Sequence, residues 1–240
     1  MQLDFRTREL TIKLVYYGPA LSGKTTNLQA LHEVVAKDAT GRLMTLDTKD
    51  DRTLFFDLLP LSFKSTSGVS VRIKVFTVPG QAIHASTRRL VVQGADGVVF
   101  VADSQKAETK NNAAAFLDLK SNLEANGLSL EKMPVVIQFN KRDLPPELIR
   151  TPEELRELAQ RGREPVYLAV AMQGVGVVES FLGLLQMVWR VLNEQHHFDE
   201  KFGFESGAFV QLVASKLGVH GPATQRINTR LGGAAAAARG

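Results

Sequence analysis

Gly18-Pro19-Ala20-Leu21-Ser22-Gly23-Lys24-Thr25 is the stretch from which the fold can be read. It has the pattern GxxxxGKT. It follows an apolar run (Ile12, Leu14, Val15, Tyr16) and precedes a helix-like stretch from Thr26. Strand, tight loop and helix N-terminus in that order make a phosphate loop. Backbone N–H groups and the helix dipole then face an anion, and Lys24 brings a point charge to the β- and γ-phosphates. The Thr25 hydroxyl is placed to ligate Mg²⁺. The competing reading is a glycine-bearing turn with no ligand, so the octet needs support from the rest of the chain.

Outward from the loop, residues 11–17 read as a strand and 24–36 as a helix striped by Leu28, Leu31, Val34 and Val35. Residues 41–46 read as a short extended piece. Residues 63–66 and 69–78 read as two strands whose short link, Ser67-Gly68, favours an antiparallel hairpin. The near-continuous apolar runs at 97–102 and 134–139 suit parallel strands covered on both faces. A helical stripe lies between them (Ala113, Phe116, Leu119, Leu123). Thr151-Pro152-Glu153-Glu154 opens another helix, with Pro at its first position and acidic residues in its first turn. A last strand (166–171) and a last long helix (177–193) follow. This alternation specifies an α/β protein with a doubly wound mixed sheet, mostly parallel with one antiparallel hairpin, flanked by helices.

Bulk properties narrow the function classes. Hydrophobic residues make up 44% and charged residues 22%, the profile of a folded, soluble chain. With no cysteine, disulfides and thiolate metal sites are excluded. Lys plus Arg number 29 against 25 Asp plus Glu, a net of +4 spread along the chain. The basic residues near the end (Lys216, Arg226, Arg230, Arg239) lack the aromatic interleaving of a nucleic-acid platform, so no nucleic-acid partner is expected. His196-His197 has no third ligand in view. No stretch reaches the ~20 apolar residues of a membrane span. The start lacks a signal-peptide core, Gln2 excludes myristoylation, and the C-terminus has no prenylation cysteine. A cytoplasmic location is expected, with any membrane attachment supplied by partners and no direct anchor. In domain terms, residues 1–195 read as one unit. Residues 196–219 read as a short helical extension, either packed on that unit or free to bind a partner, and 220–240 as a low-complexity, unstructured tail.

The second anchor is Asn140-Lys141-Arg142-Asp143, directly after the strand ending at Phe139. At the carboxyl edge of an open α/β sheet, it falls beside the phosphate loop. A carboxylate there can accept both donors on guanine's Watson–Crick edge, a pairing that adenine cannot offer. Asn140 can read the base or brace the loop. An ATP-using enzyme is accordingly disfavoured.

The phosphate loop, Val78-Pro79-Gly80-Gln81 and Asn140-Lys141-Arg142-Asp143, in this order and spacing, resemble a Ras-like small GTPase of the P-loop NTPase fold. Residues 12–17, 26–28, 51–57, 77–81, 97–104 and 138–145 resemble more closely the bacterial MglA family of polarity and gliding-motility switches. The likeness covers about residues 10–195, and the C-terminal extension has no counterpart in it.

The resemblance implies that GTP or GDP and Mg²⁺ are bound by Gly18, Pro19, Ala20, Leu21, Ser22, Gly23, Lys24, Thr25 and Thr26, with Thr25 and Thr53 as metal ligands. Lys24, Gln81 and Arg52 would be catalytic: Gln81 orients the attacking water and Arg52 is an arginine finger supplied in cis. Gly80 would offer its N–H to the γ-phosphate, while Asn140, Lys141, Asp143, Val170, Ala171 and Met172 would hold the guanine. Thr77 stands where Ras-like proteins have an aspartate that holds a metal-bound water, and MglA proteins resemble this chain in having Thr there. The resemblance further implies a Roadblock-fold, MglB-like activator and effectors that read the switch loops.

Three departures qualify this. Ala20 replaces a glycine over the γ-phosphate, where its methyl can crowd Gln81 or Arg52. Residues 82–86 replace an aromatic-containing switch surface, and Met172-Gln173 replaces Pro-Thr. Two functions stay open: a slowly hydrolysing, activator-stimulated switch, and a GTP-bound scaffold that does not hydrolyse.

Overall fold

The computed structural model describes residues 1–4, 6–46, 56–64, 68–80, 85–202 and 206–231. Its strands are β1 (Gln2–Asp4), β2 (Glu9–Tyr17), β3 (Met44–Leu46), β4 (Phe56–Lys64), β5 (Ser70–Thr77), β6 (Gly97–Asp103), β7 (Val135–Asn140) and β8 (Val166–Leu168). Its helices are α1 (Lys24–Val34), α2 (Ala85–Val92), α3 (Thr109–Ala125), α4 (Pro152–Arg161), α5 (Val177–His196), α6 (Phe198–Phe202), α7 (Ser206–Lys216) and α8 (Ala223–Ile227).

Strand order is β3-β4-β5-β2-β6-β7-β8, with β1 beside the first residues of β2. The β2–β5, β2–β6, β6–β7 and β7–β8 pairs are parallel, whereas β3–β4, β4–β5 and β1–β2 are antiparallel. Period-two alternation divides the apolar residues between two cores. Ile12, Leu14 and Tyr16 of β2 join the one beneath α1 and α5, while Val15 and Tyr17 join the one beneath α3. β6 is buried along its whole length, as a strand covered on both faces must be.

Two expectations are corrected by longer-range pairing. The first strand of the hairpin begins at Phe56 rather than 63, and runs straight through Pro60. The proline is tolerated because its carbonyl, and hence its nitrogen, faces away from β5, toward the side where the Gly41 N–H donates to Pro60 O at 2.9 Å. The chain after 220 is not unstructured throughout. α8 follows Pro222, the Tyr167 hydroxyl donates to Ile227 O at 3.0 Å, and Leu231 N–H donates to Val166 O at 2.7 Å on the outer edge of β8.

The segment after α5 folds back onto α5 and the loop after α1. Phe209 of α7 is fully buried and stacks on Trp189 with ring centroids 4.1 Å apart. At its C-terminus, Lys216 O accepts the Ala36 N–H at 2.8 Å, and Lys216 Nζ pairs with Asp38 at 2.5 Å.

Candidate functional site

The carboxyl ends of β2, β6 and β7 deliver the site. Gly23 is the N-cap of α1 at φ +97°, and a β-carbon there would lie 2.2 Å from Asn140 Nδ2, so only glycine fits. No side chain caps α1, and no acidic residue stands in its first turn. Its first N–H groups and positive dipole end are therefore available to an anion.

Lys24 is 7% exposed and folds back over the loop, donating to Gly18 O at 3.1 Å and Pro19 O at 2.6 Å. An ammonium has three donors, which leaves one for a phosphate oxygen. Burial, with the nearby Arg88 cation adding to it and Asp57 opposing, lowers the Lys24 pKa from 10.5 to about 8. A group held this way gains from an anionic ligand. The donor set fits a nucleoside polyphosphate, with the Thr25 hydroxyl available to a magnesium ion carried on it. Among the described residues no cluster of three or more His, Asp or Glu side chains could bind a metal by itself. A phosphate-borne cation does not need one.

Asn140 braces the loop. Its Nδ2 donates to Ser22 O at 2.9 Å, and its Oδ1 accepts the Ala171 N–H at 2.9 Å. One amide thereby ties the phosphate loop to the Val170–Met172 turn. Lys141, at φ +64°, reaches back to form an ion pair with the buried Asp103. Asp143 is exposed, and Met172, on the Ala171–Gln173 turn, is 85% exposed. Thr26 lies in the first turn of α1. Leu21, at φ +59°, is 88% exposed at the tip of the loop.

Gly80 lies directly against the loop. A β-carbon built on it would sit 2.4 Å from Ala20 Cα and 2.6 Å from Ala20 N. Ala20 and Gly80 also line a cavity of about 410 Å³ together with Tyr17, Arg88, Asn111 and Asp118. Arg52, Thr53 and Gln81 lie outside the described residues.

Three polar groupings escaped the sequence reading. Gln138 Nε2 donates to Asn27 Oδ1 (2.9 Å) and Ser180 Oγ (2.7 Å), joining α1, β7 and α5 beneath the site. Arg88 of α2 pairs with Asp118 at 2.7 Å, and Asp118 also accepts from the Tyr17 hydroxyl. Asp57, buried on β4, accepts from Thr25 Oγ1 (2.6 Å), Thr77 Oγ1 (3.0 Å) and Thr45 Oγ1 (2.9 Å). A signal existed for two of them. Gln138 interrupts an apolar run, and Asp57 shares the inward parity of Leu59, Leu61 and Phe63.

Comparison with known proteins decides the family. Mutual gliding-motility protein MglA of Myxococcus xanthus (strain DK1622) is 45% identical to this chain over 186 residues, 78% of this chain and 94% of that protein. The chain belongs to the MglA family of Ras-like GTPases. Human ADP-ribosylation factor-like protein 4D is 28% identical over 191 residues, 73% of this chain and 91% of its own length. Human Ras-related protein Rab-4B is 27% identical over 139 residues, 58% and 63% respectively. No family model matches the chain. Membership in the MglA family accounts for the mixed P-loop sheet, and it implies guanine-nucleotide binding. Among the described residues of this MglA-family chain, no helix is long and apolar enough to cross a membrane.

Proposed function

We propose that the chain is a Mg²⁺-dependent GTP switch that hydrolyses GTP slowly by itself and faster with an activator, acting in bacterial cell polarity or surface motility. The observation carrying this reading is Lys24. It is a lysine buried in a glycine-bearing cradle, its pKa lowered, and Asn140 ties that cradle to the Val170–Met172 turn. The pathway rests on the name of the Myxococcus xanthus relative, a mutual gliding-motility protein.

In this reading Lys24 and the N–H groups of residues 18–26 hold the β- and γ-phosphates. Asp143 accepts the guanine donors. Lys141 and residues 170–172 flank the base, and Gly80 offers its N–H to the γ-phosphate. Thr25 and Thr53 would hold the magnesium ion, which when bound neutralises charge on the phosphate oxygens. Gln81 orients water and Arg52 stabilises developing negative charge, both once a partner positions them, which keeps the unassisted rate low. A Roadblock-fold, MglB-like activator is the expected partner, with effectors reading the switch loops and carrying the protein to a pole or membrane from the cytoplasm. Residues 1–195 constitute the GTPase unit, and the segment after them is an extension.

A second reading is a GTP-held scaffold: Gly80 packs on the backbone of Ala20, and position 20 carries a methyl where the resemblance has glycine. Single-turnover GTP hydrolysis, with and without a Roadblock-fold activator, separates the two. Stimulated phosphate release by the native protein is the expected result. A response confined to the Ala20→Gly variant would instead make Ala20 a brake and the native chain a scaffold.

A further inference from the structure

On β4, β5 and β2, Leu61, Phe63, Val71, Ile73 and Ile12 point into the core beneath α1 and α5. The residues between them point to the other face of the sheet, and they include Lys64, Arg72, Lys74 and Lys13. Register sets Lys13 opposite Lys74 and Ser62 opposite Arg72. Lys64, Arg72 and Lys74 are exposed. Lys13 is half-buried, with Nζ 4.9 Å from the Phe76 ring centroid and donating to Gln93 O at 2.8 Å. Burial lowers its pKa, Asp96 opposes the shift, and the Lys74 cation adds to it. The same face runs into a hollow of about 410 Å³, lined by Ser62, Lys64, Ser70 and Arg72 on the hairpin side and by Leu212 and Lys216 of α7. Two carboxylates of the hollow are already matched: Glu9 pairs with Arg72 at 3.0 Å, and Asp38 with Lys216 at 2.5 Å. Asp4 and Asp96 stand at the β1 margin, where they accept the Arg6 and Thr7 N–H groups and the Met1 ammonium. Cations therefore outnumber acids across face and hollow.

We propose that this face docks an acidic, extended segment of a partner protein, whose carboxylates lie across Lys13, Lys74 and Arg72 and enter the hollow between Lys64 and Lys216. Spacing carries the choice of occupant. Arg72 and Lys74 are two residues apart on one strand, about 6.6 Å, which is also the same-face interval of an extended chain laid beside them. Lys13 stands one strand away, about 4.8 Å, within reach of the same acidic side chain. A bilayer suits the face less well. Each cation near an anionic leaflet contributes about 1 kcal/mol, and stable attachment needs a second anchor. The hollow is concave besides, and admits a side chain. Glu9, on its wall, is roughly 30 Å along β2 from Gly18. The cations stand on paired strands and on α7, not on the segments around 53 and 81, so the affinity of this dock is independent of the bound nucleotide. It goes beyond the switch reading and stands without it.

The probe is fluorescein-labelled decaglutamate, titrated with the full-length protein and followed by anisotropy at about 0.1 M salt, where charges more than about 10 Å apart are screened. Wild type should bind it, more weakly as salt rises, and equally with GDP or a non-hydrolysable GTP analogue. Lys64→Glu/Lys74→Glu should lower the affinity about tenfold or more. Lys74→Glu faces Lys13 with an opposite charge, so this variant keeps the fold. Lys110→Glu/Lys132→Glu makes the same change in net charge at exposed positions elsewhere and should alter binding less than about twofold. No binding by wild type, or an equal loss in both double variants, would overturn the proposal. So would an affinity that follows the nucleotide, which would make this a switch surface. Flotation with phosphatidylserine vesicles is the last arm: retention abolished by Lys64→Glu/Lys74→Glu, with no binding of decaglutamate, would assign the face to a lipid surface instead.

Discussion

Lys24 carries the largest electrostatic cost described for the site. Its folded pKa, about 8, lies below its ordinary 10.5, so between those values the unfolded chain binds more protons than the folded one. Stability from this group therefore rises as pH increases from about 8 to 10.5, and below about 8 the folded protein bears the whole desolvation cost. Phosphates beside the ammonium reverse the shift. GDP binding should accordingly take up protons at about pH 8.5 and none through Lys24 at about pH 6.5. Titration calorimetry in buffers of different ionisation heat measures this, and equal uptake at both pH values would contradict the burial argument. Asp143 makes the complementary prediction. Because it stands exposed, Asp143→Asn should leave folding untouched. It should weaken GDP binding about 10- to 100-fold, the loss of a charge-assisted pair. Competition between GTP and ATP for the site reads this out, and unchanged preference for GTP would remove Asp143 from base recognition.

At the scale of elements, α7 joins the same apolar core as α5. Phe209 fills the surface of Trp189, with Val213 and Leu217 buried alongside it, and the helix ends on the loop after α1. Phe209→Ala should cost about 3–5 kcal/mol, as truncating a buried aromatic does. In a chain of this size that is a fall of roughly 10 °C in melting temperature. Thermal unfolding followed by the fluorescence of Trp189 tests it, and a change under about 2 °C would mean that α7 packs too loosely to support α5.

Across the whole molecule, what the sequence disclosed was what neighbouring residues encode. The phosphate loop, the 140–143 loop and the two doubly covered strands each carry their signal within ten residues or fewer. The opening of α4 was legible for the same reason. Thr151 and Glu154 form a reciprocal capping box across a single turn. What stayed hidden depends on pairing between distant segments. β4 begins seven residues early because β3 and β5 flank it. Asp57 reads as one acid in an irregular stretch until β4 returns along β5 and sets it against Thr25, 32 residues away in sequence.

The Leu231–Val166 hydrogen bond has a consequence beyond anchoring the C-terminus. β8 would otherwise present a row of unpaired backbone groups to any other extended chain. The described residues that end at Leu231 therefore cover one backbone position of that edge. Trimming them would leave nucleotide chemistry in place while turning the molecule's last strand into a template for its neighbours in solution.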